Sequence, residues 1–267
     1  MKIENDAIYA VFLDIDGTLI DRGRLPQENV RAIARAQAAG HKVFLNTGRS
    51  YSFIPHAKLA SISFDGICAG CGSDIRVGDE VLYSEIVDHA FIKRVCEYYL
   101  ESGRTLFLEG EDACFWVNAK NSEKAYDMLR LSNSPCYEIT DVAQLSGEFS
   151  YPRISKLSYW GTDITERELE MWREGLRVIV HPTYVESVIY GCDKARAMER
   201  MLSRFQIPRE HSIAMGDSAN DHEMLKYAGI SVAVGNATES TKQICSYISS
   251  NASDAGVAAA IYELLQL

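Results

Sequence analysis

The sequence predicts an α/β fold in which a parallel core sheet is interrupted by an inserted α+β module. Three observations carry that prediction: short apolar runs that stop abruptly at polar clusters, strand–helix–strand spacing at both ends of the chain, and a change of pattern between about residues 84 and 184. The first run, Ala10-Val11-Phe12-Leu13, closes in Asp14-Ile15-Asp16-Gly17. Apolar residues bounded in this way fit a buried parallel strand better than a helix, which needs a longer periodic pattern. Open α/β sheets bind ligands at the carboxyl ends of their strands, and two acids two residues apart there invite a cation. Taken alone, the stretch also reads as an Asp-rich turn.

Asn29 to Ala39 carries apolar positions at Val30, Ile33, Ala34 and Ala38 and stops at Gly40, which specifies an amphipathic helix. His41 to Leu45 is a second strand, ending in Asn46-Thr47-Gly48-Arg49, and the strand–helix–strand order implies a right-handed parallel crossover. A helix is expected over Tyr51 to Leu59, a third strand over Phe64 to Ala69, and a hairpin from Asp74–Val77 and Glu80–Tyr83 around Gly78-Asp79. The inserted module follows, as two α–β–β units. It contains helix Asp88–Ser102, strands Arg104–Leu108 and Ala113–Val117, helix Ser122–Leu131, strand Ile154–Trp160, helix Glu166–Gly175, and strands Leu176–Val180 and Tyr184–Ile189. Between Ser132 and Pro152 the reading is a polar loop. The module is assigned residues 84–184, with a discontinuous core of residues 1–83 and 185–267 around it. The core resumes with helix Lys194–Phe205 and strand Ser212–Met215, which ends in Gly216-Asp217-Ser218-Ala219-Asn220-Asp221. Helix His222–Ala228, strand Ile230–Val234 and helix Ala255–Leu265 complete it.

Composition excludes several function classes. The formal net charge is −10, from 37 acidic and 27 basic residues, and no Lys/Arg run offers a local exception, so no nucleic-acid partner is expected. No apolar stretch approaches the roughly 20 residues that span a bilayer. Seven cysteines, an odd and scattered number, and the lack of a secretory leader at Met1-Lys2-Ile3-Glu4 point to a reducing cytoplasm. Cys68 and Cys71 have redox or zinc spacing, but no second pair follows at a zinc-site distance.

Three strands thus end in polar clusters, Asp14 with Asp16, Thr47 with Arg49, and Asp217 with Asp221, and one helix starts at Lys194. If the strands are neighbours, four acids, a hydroxyl, a lysine and several backbone N–H groups share one crevice. Carboxylates gathered so densely repel one another unless a hard divalent cation sits among them. Mg2+ takes one or two carboxylates and leaves positions for water and a phosphate oxygen. Thr47 and Lys194 are then the phosphate's other partners, the lysine acting as a point charge. Such a site suits phosphoryl transfer, with one aspartate as nucleophile and Asp16 as a general acid and base.

These residues resemble the haloacid dehalogenase superfamily of phosphatases, and within it the Cof-type sugar-phosphatase-like group, whose large α/β cap (type C2) lies between the second and third motifs. Asp14-Ile15-Asp16-Gly17-Thr18-Leu19 stands as the first motif, Thr47-Gly48-Arg49 as the second, Lys194 as the third and Gly216-Asp217-Ser218-Ala219-Asn220-Asp221 as the fourth. The resemblance spans essentially the whole chain. It implies a Rossmann-like doubly wound core, Asp14 as nucleophile, Asp16 as general acid/base, and Thr47, Gly48, Arg49, Lys194 and Asn220 around the phosphate or substrate. It further implies Mg2+ held by Asp14, the Asp16 backbone carbonyl and Asp217, with Asp221 supporting the metal or Lys194. The expected reaction is hydrolysis of a small phosphorylated metabolite, a sugar phosphate or similar phosphomonoester, through an aspartyl-phosphate.

A phosphomutase or phosphotransferase using the same Asp14 is one alternative, and a phosphate-accepting signalling module another. Asp16 argues against the signalling module, because an acid–base group beside the nucleophile shortens the life of a phosphoenzyme. One departure from the family pattern stands out: Cys71-Gly72-Ser73 occupies the place usually taken by Asn-Gly-Ala. Arg49 reads either as an anion contact or as an ion pair with a neighbouring acid, and Glu186 and Tyr184 either as cleft-facing or as hinge residues. Trp116, Trp160 and Trp172 read as cap core, and His222 as the start of a helix.

Overall fold

The structure, a computed structural model, describes residues 7–123 and 134–267. Two compact units emerge, one of Met1–Gly48, His56–Leu82 and Asp193–Leu267, the other of Arg49–Pro55 and Tyr83–Cys192. The chain opens with strands β1 (Ala10–Leu13), β2 (Lys42–Asn46), β3 (Gly66–Ala69), β4 (Asp74–Val77) and β5 (Glu80–Ser84). The second unit contributes β6 (Leu106–Gly110), β7 (Cys114–Val117), β8 (Cys136–Ile139), β9 (Ile154–Tyr159), β10 (Leu176–Val180) and β11 (Val185–Ile189). Then β12 (Ser212–Gly216), β13 (Ile230–Ala233) and β14 (Tyr247–Ile248) return to the first.

The first sheet runs β14-β13-β12-β1-β2-β3-β4-β5. Its strands are parallel from β14 to β3, and β4 then pairs antiparallel with β3. Every residue of β1 and of β12 is buried, as a sheet covered by helices on both faces requires. Helices Gln27–Ala38 and Gly256–Leu265 pack together, and a buried asparagine fixes their register. Asn29 Oδ1 accepts the Ala258 N–H at 3.0 Å while its Nδ2 donates to Leu19 O at 3.4 Å, so its polar groups are satisfied inside the core.

The second unit is a mixed sheet in the order β10-β11-β9-β6-β7-β8. Helix His89–Ser102 is capped by Asp88, which accepts the Phe91 N–H at 2.9 Å, and it buries Phe91, Ile92, Val95, Cys96 and Tyr99. Helix Glu166–Arg173 starts with a Thr165/Glu168 capping box and buries Trp172 completely. Trp116 is also buried and Trp160 packs against its cluster.

Four expectations meet a different local structure. The helix expected over Tyr51–Leu59 is a single 3-10 turn, Tyr51–Phe53, and a short helix, His56–Leu59. Pro55 lies between them, and a proline disfavours helical backbone in the residue before it. The loop expected between Ser132 and Pro152 contains β8, which pairs parallel with β7 at the sheet edge. The stretch between Val234 and Ala255 contains helix Glu239–Ile244 and β14. The second unit extends to Cys192 because β11 pairs antiparallel with both β10 and β9, and it also takes in Arg49–Pro55. The helix expected over Ser122–Leu131 falls largely outside the described residues. Among the described residues no helix is long and apolar enough to cross a membrane.

Candidate active site

Strand register builds the site. In the parallel pairs of β1 with β12 and with β2, Leu13 stands opposite Met215 and Leu45. Three neighbouring strands therefore end at one level, and Asp14, Thr47 and Asp217 follow at the same sheet edge. β1 also divides the sheet, with β2 and β3 on one side and β12 and β13 on the other. Its carboxyl end is a topological switch point, where open α/β sheets bind their ligands.

Asp14 is 3% exposed, and its backbone N–H donates to Met215 O at 3.1 Å. Lys194 is the first residue of helix Lys194–Phe205, whose cap, Asp193, accepts the Arg196 N–H at 2.8 Å. The buried Lys194 ammonium donates to Asp14 Oδ1 and to Asp221 Oδ1, each at 2.6 Å. Asp221 Oδ2 accepts the N–H groups of Asp217 at 2.9 Å and Ser218 at 3.2 Å. Both oxygens of Asp221 are thus engaged, one bracing the lysine and the other the loop. Asp217 Oδ1 accepts from the Thr18 hydroxyl at 3.4 Å.

Two glycines make room for these acids. At Gly17, where φ is +79°, a Cβ would stand 2.6 Å from Asp217 Oδ2. A Cβ on Gly216 would meet the Asp221 Cβ at 2.5 Å.

Carboxylate oxygens of Asp14, Asp217 and Asp221 lie within 4.8 Å of one another. Three acids facing one ammonium leave the cluster short of positive charge. Burial is the main cause that pushes the Asp14 carboxyl up to about 8, against the pull of Lys194, with Asp221 and Asp217 adding to the rise. Burial and Asp221 push Asp217 up to about 7. Burial opposes the charge on Lys194, yet Asp14 and Asp221 hold its pKa above the ordinary lysine value. An all-oxygen donor set with unneutralised charge fits a hard divalent cation.

Asp16 is exposed, three residues beyond the strand, while Asp14 is enclosed; the left-handed turn at Gly17 comes directly after Asp16. Thr47 and Gly48 are buried; the Thr47 N–H donates to Cys68 O at 2.9 Å, and Thr47 O accepts the Cys71 N–H at 3.0 Å. Cys71 sits on left-handed backbone, with φ 54°, and Cys68 and Cys71 are both buried. Asn220 turns back on its own loop, its Oδ1 accepting from the Ser218 hydroxyl at 2.9 Å. Arg49 belongs to the second unit, where its guanidinium lies 4.8 Å over the Phe53 ring and donates to Phe53 O at 3.1 Å. His222 begins helix His222–Tyr227, with Nε2 hydrogen-bonded to Thr241 Oγ1 at 3.0 Å.

Three supporting residues escaped the sequence reading. Thr18 holds Asp217, Asn236 donates to Gly17 O at 2.8 Å, and Asn46 donates to Lys194 O at 2.9 Å. Thr18 carried a signal as a member of the first motif and Asn46 as the first polar residue after an apolar run, but Asn236 carried none.

Comparison with known proteins agrees with this geometry. The sequence profile of the haloacid dehalogenase-like hydrolase family matches residues 11–261. The 5-amino-6-(5-phospho-D-ribitylamino)uracil phosphatase YitU of Bacillus subtilis (strain 168) is 27% identical, over 97% of this chain and 98% of its own. A phosphoglycolate phosphatase of Methanothermobacter thermautotrophicus is 27% identical over 94% of this chain and 96% of its own. Among solved structures, the HAD subclass IIB sugar phosphatase BT4131 superimposes with a TM-score of 0.76 at 25% identity, covering 96% of this chain and 98% of that one. With its fold, its clustered acids and a family match over nearly its whole length, the chain belongs to the haloacid dehalogenase-like hydrolases.

Proposed function

We propose that the chain is a Mg2+-dependent phosphatase that hydrolyses a small phosphomonoester, such as a sugar phosphate, through an aspartyl-phosphate on Asp14. One observation carries this reading: a buried carboxylate at the end of the central strand is paired with a buried lysine and crowded by two further acids. The phosphatase names of the relatives point the same way, and favour hydrolysis over phosphate transfer within the substrate.

In this reading Asp14 attacks phosphorus, and the bond from phosphorus to the leaving oxygen breaks. Asp16 gives its proton to that oxygen, and then takes one from the water that attacks the phosphoenzyme. The bond between phosphorus and the Asp14 oxygen breaks in turn, releasing inorganic phosphate and restoring Asp14. An exposed Asp16 beside an enclosed Asp14 suits this division, since the acid–base group must exchange its proton with solvent. Lys194, Thr47, Gly48 and Asn220 bind the phosphoryl oxygens, and Arg49 contacts the substrate. Mg2+ held by Asp14, Asp217 and the Asp16 carbonyl would neutralise charge on the phosphoryl group, with Asp221 as the brace. The second unit serves as the cap that selects the leaving group.

The test is phosphate release from a panel of phosphorylated metabolites with Mg2+ present. Asp14→Asn is expected to lose turnover while keeping the wild-type circular dichroism spectrum. Unchanged turnover in that variant would overturn the assignment.

A further inference from the structure

Asp16, the acid–base group of the proposed reaction, is exposed, so the backbone on either side of it governs where its carboxyl stands. Part of that backbone is pinned from within the loop. Ile15 O accepts the Ile20 N–H and the Gly17 N–H donates to Ile20 O, each at 2.8 Å. Ile15 is fully buried, which anchors the near side of Asp16. The far side turns at Gly17 on left-handed backbone, and there the hold comes from elsewhere in the first unit.

Asn236 follows β13, and its Nδ2 donates to Gly17 O at 2.8 Å, joining positions 219 residues apart. The Oδ1 of the same amide accepts the Ala252 N–H at 2.7 Å, and the Gly235 N–H donates to Ser250 O at 2.9 Å. The turn that precedes the last helix therefore fixes the orientation of the Asn236 amide, and the amide fixes Gly17. A planar amide suits this place because it presents a donor to a carbonyl and an acceptor to an N–H at once. A carboxylate would set an oxygen against Gly17 O, and an apolar side chain would serve neither group. Asn236 is exposed, and such a bond adds little to stability because water competes for both partners. What the bond does hold is the carbonyl one residue beyond Asp16.

We propose that Asn236 is a positioning residue for the acid–base step: by holding the Gly17 carbonyl, it fixes the direction from which Asp16 gives its proton to the leaving oxygen. The proposal rests on the phosphatase reading, with Asp16 as the general acid. Asn236 acts through the backbone of the turn after Asp16 and not on a reacting atom.

Leaving-group dependence together with hydrogen exchange on the full-length, Mg2+-loaded chain tests this. The ratio kcat/KM reports the steps up to the phosphoenzyme, where an alkoxide leaving group needs a proton and dinitrophenolate does not. Asn236→Ala is expected to lower kcat/KM about 10- to 100-fold for an alkyl phosphate that the wild-type chain turns over, and less than about threefold for dinitrophenyl phosphate. Asn236→Asp keeps the acceptor for Ala252 and loses the donor for Gly17, so it is expected to show the same selectivity. Equal fold-losses on the two esters would reduce Asn236 to a structural role and overturn the proposal, as would wild-type selectivity in both variants. Exchange is read without reference to turnover: in both variants the Gly17 amide is expected to lose protection while those of β1 and β12 keep theirs. Unchanged protection at Gly17 would also overturn it. If the wild-type chain released phosphate from no phosphomonoester, the phosphatase reading would fail, and the exchange result would still decide whether Asn236 fixes the turn.

Discussion

Raising the pH is expected to destabilise the metal-free chain, and a divalent cation is expected to reverse that loss. Asp14, Asp217 and Asp221 crowd within 4.8 Å, and burial is the leading cause that lifts Asp14 to about 8 and Asp217 to about 7. An unfolded chain releases these protons near pH ~3.9. Between about pH 4 and pH 7 the folded chain therefore holds protons that the unfolded chain has lost. Stability is greatest below that window and falls as pH rises through it, by up to ~1.4 kcal/mol per pH unit for each group. A bound divalent cation takes the place of those protons, so its stabilisation grows with pH. At a cation concentration about 100 times its Kd the gain is about 2.7 kcal/mol. For a chain of this size that corresponds to a rise in Tm of roughly 5–10 °C. The assay is thermal unfolding in EDTA and in excess MgCl2 at a series of pH values from about 5 to about 8. Two results refute the reasoning: a Mg2+-induced shift in Tm no larger at the alkaline end, or a metal-free chain that gains stability as pH rises through neutrality.

Three substitutions extend the test. Lys194→Met removes the shared partner of two buried carboxylates and is expected to cost about 3–5 kcal/mol in urea unfolding, with turnover lost; stability within error of wild type would contradict the pairing. Gly17→Ala places a methyl 2.6 Å from Asp217 Oδ2 on left-handed backbone. Calorimetry is expected to show Mg2+ affinity weakened about 10- to 100-fold, and an unchanged Kd would remove Asp217 from the metal site. Burial alone would raise Glu186, but Lys156 and His181 overcome it and hold the carboxyl at about 2. Its contribution to stability is therefore present above about pH 4.5 and lost as pH falls toward 2, so Glu186→Gln should flatten the acid limb of the stability profile. Coincident acid limbs for the variant and the wild type would rule that out.

Much of the site was legible because it depends on where strands end. Asp14, Thr47 and Asp217 each follow an apolar run, and a parallel sheet in register brings such ends together whatever happens in between. The sequence could not show that Arg49 folds with the second unit, because that depends on Ser50 meeting Glu109, Ser52 meeting Gly110 and Phe53 meeting Phe107, far apart in the chain. β8 was illegible for a related reason: Cys136-Tyr137-Glu138-Ile139 is short and lies at an edge, and Tyr137 is exposed, so no alternation marks it as a strand. Nor could the sequence divide the labour among the acids. Asp221 was expected to support either the metal or Lys194; its Oδ1 accepts from the Lys194 ammonium and its Oδ2 from two backbone N–H groups, while it also stands in the acidic cluster.

Gly216 has a consequence for how stable this chain can become. It lies inside β12, on backbone that does not have the positive φ reserved for glycine. Exchanging a glycine for alanine at a compatible backbone position stabilises a protein by about 0.4–1 kcal/mol, by shrinking the conformational freedom of the unfolded chain. Here that gain is blocked, because the methyl would occupy the space taken by Asp221. The unfolded ensemble is thus left looser than the strand itself requires. The brace for Lys194 is kept at an entropic cost that no contact in the folded molecule displays.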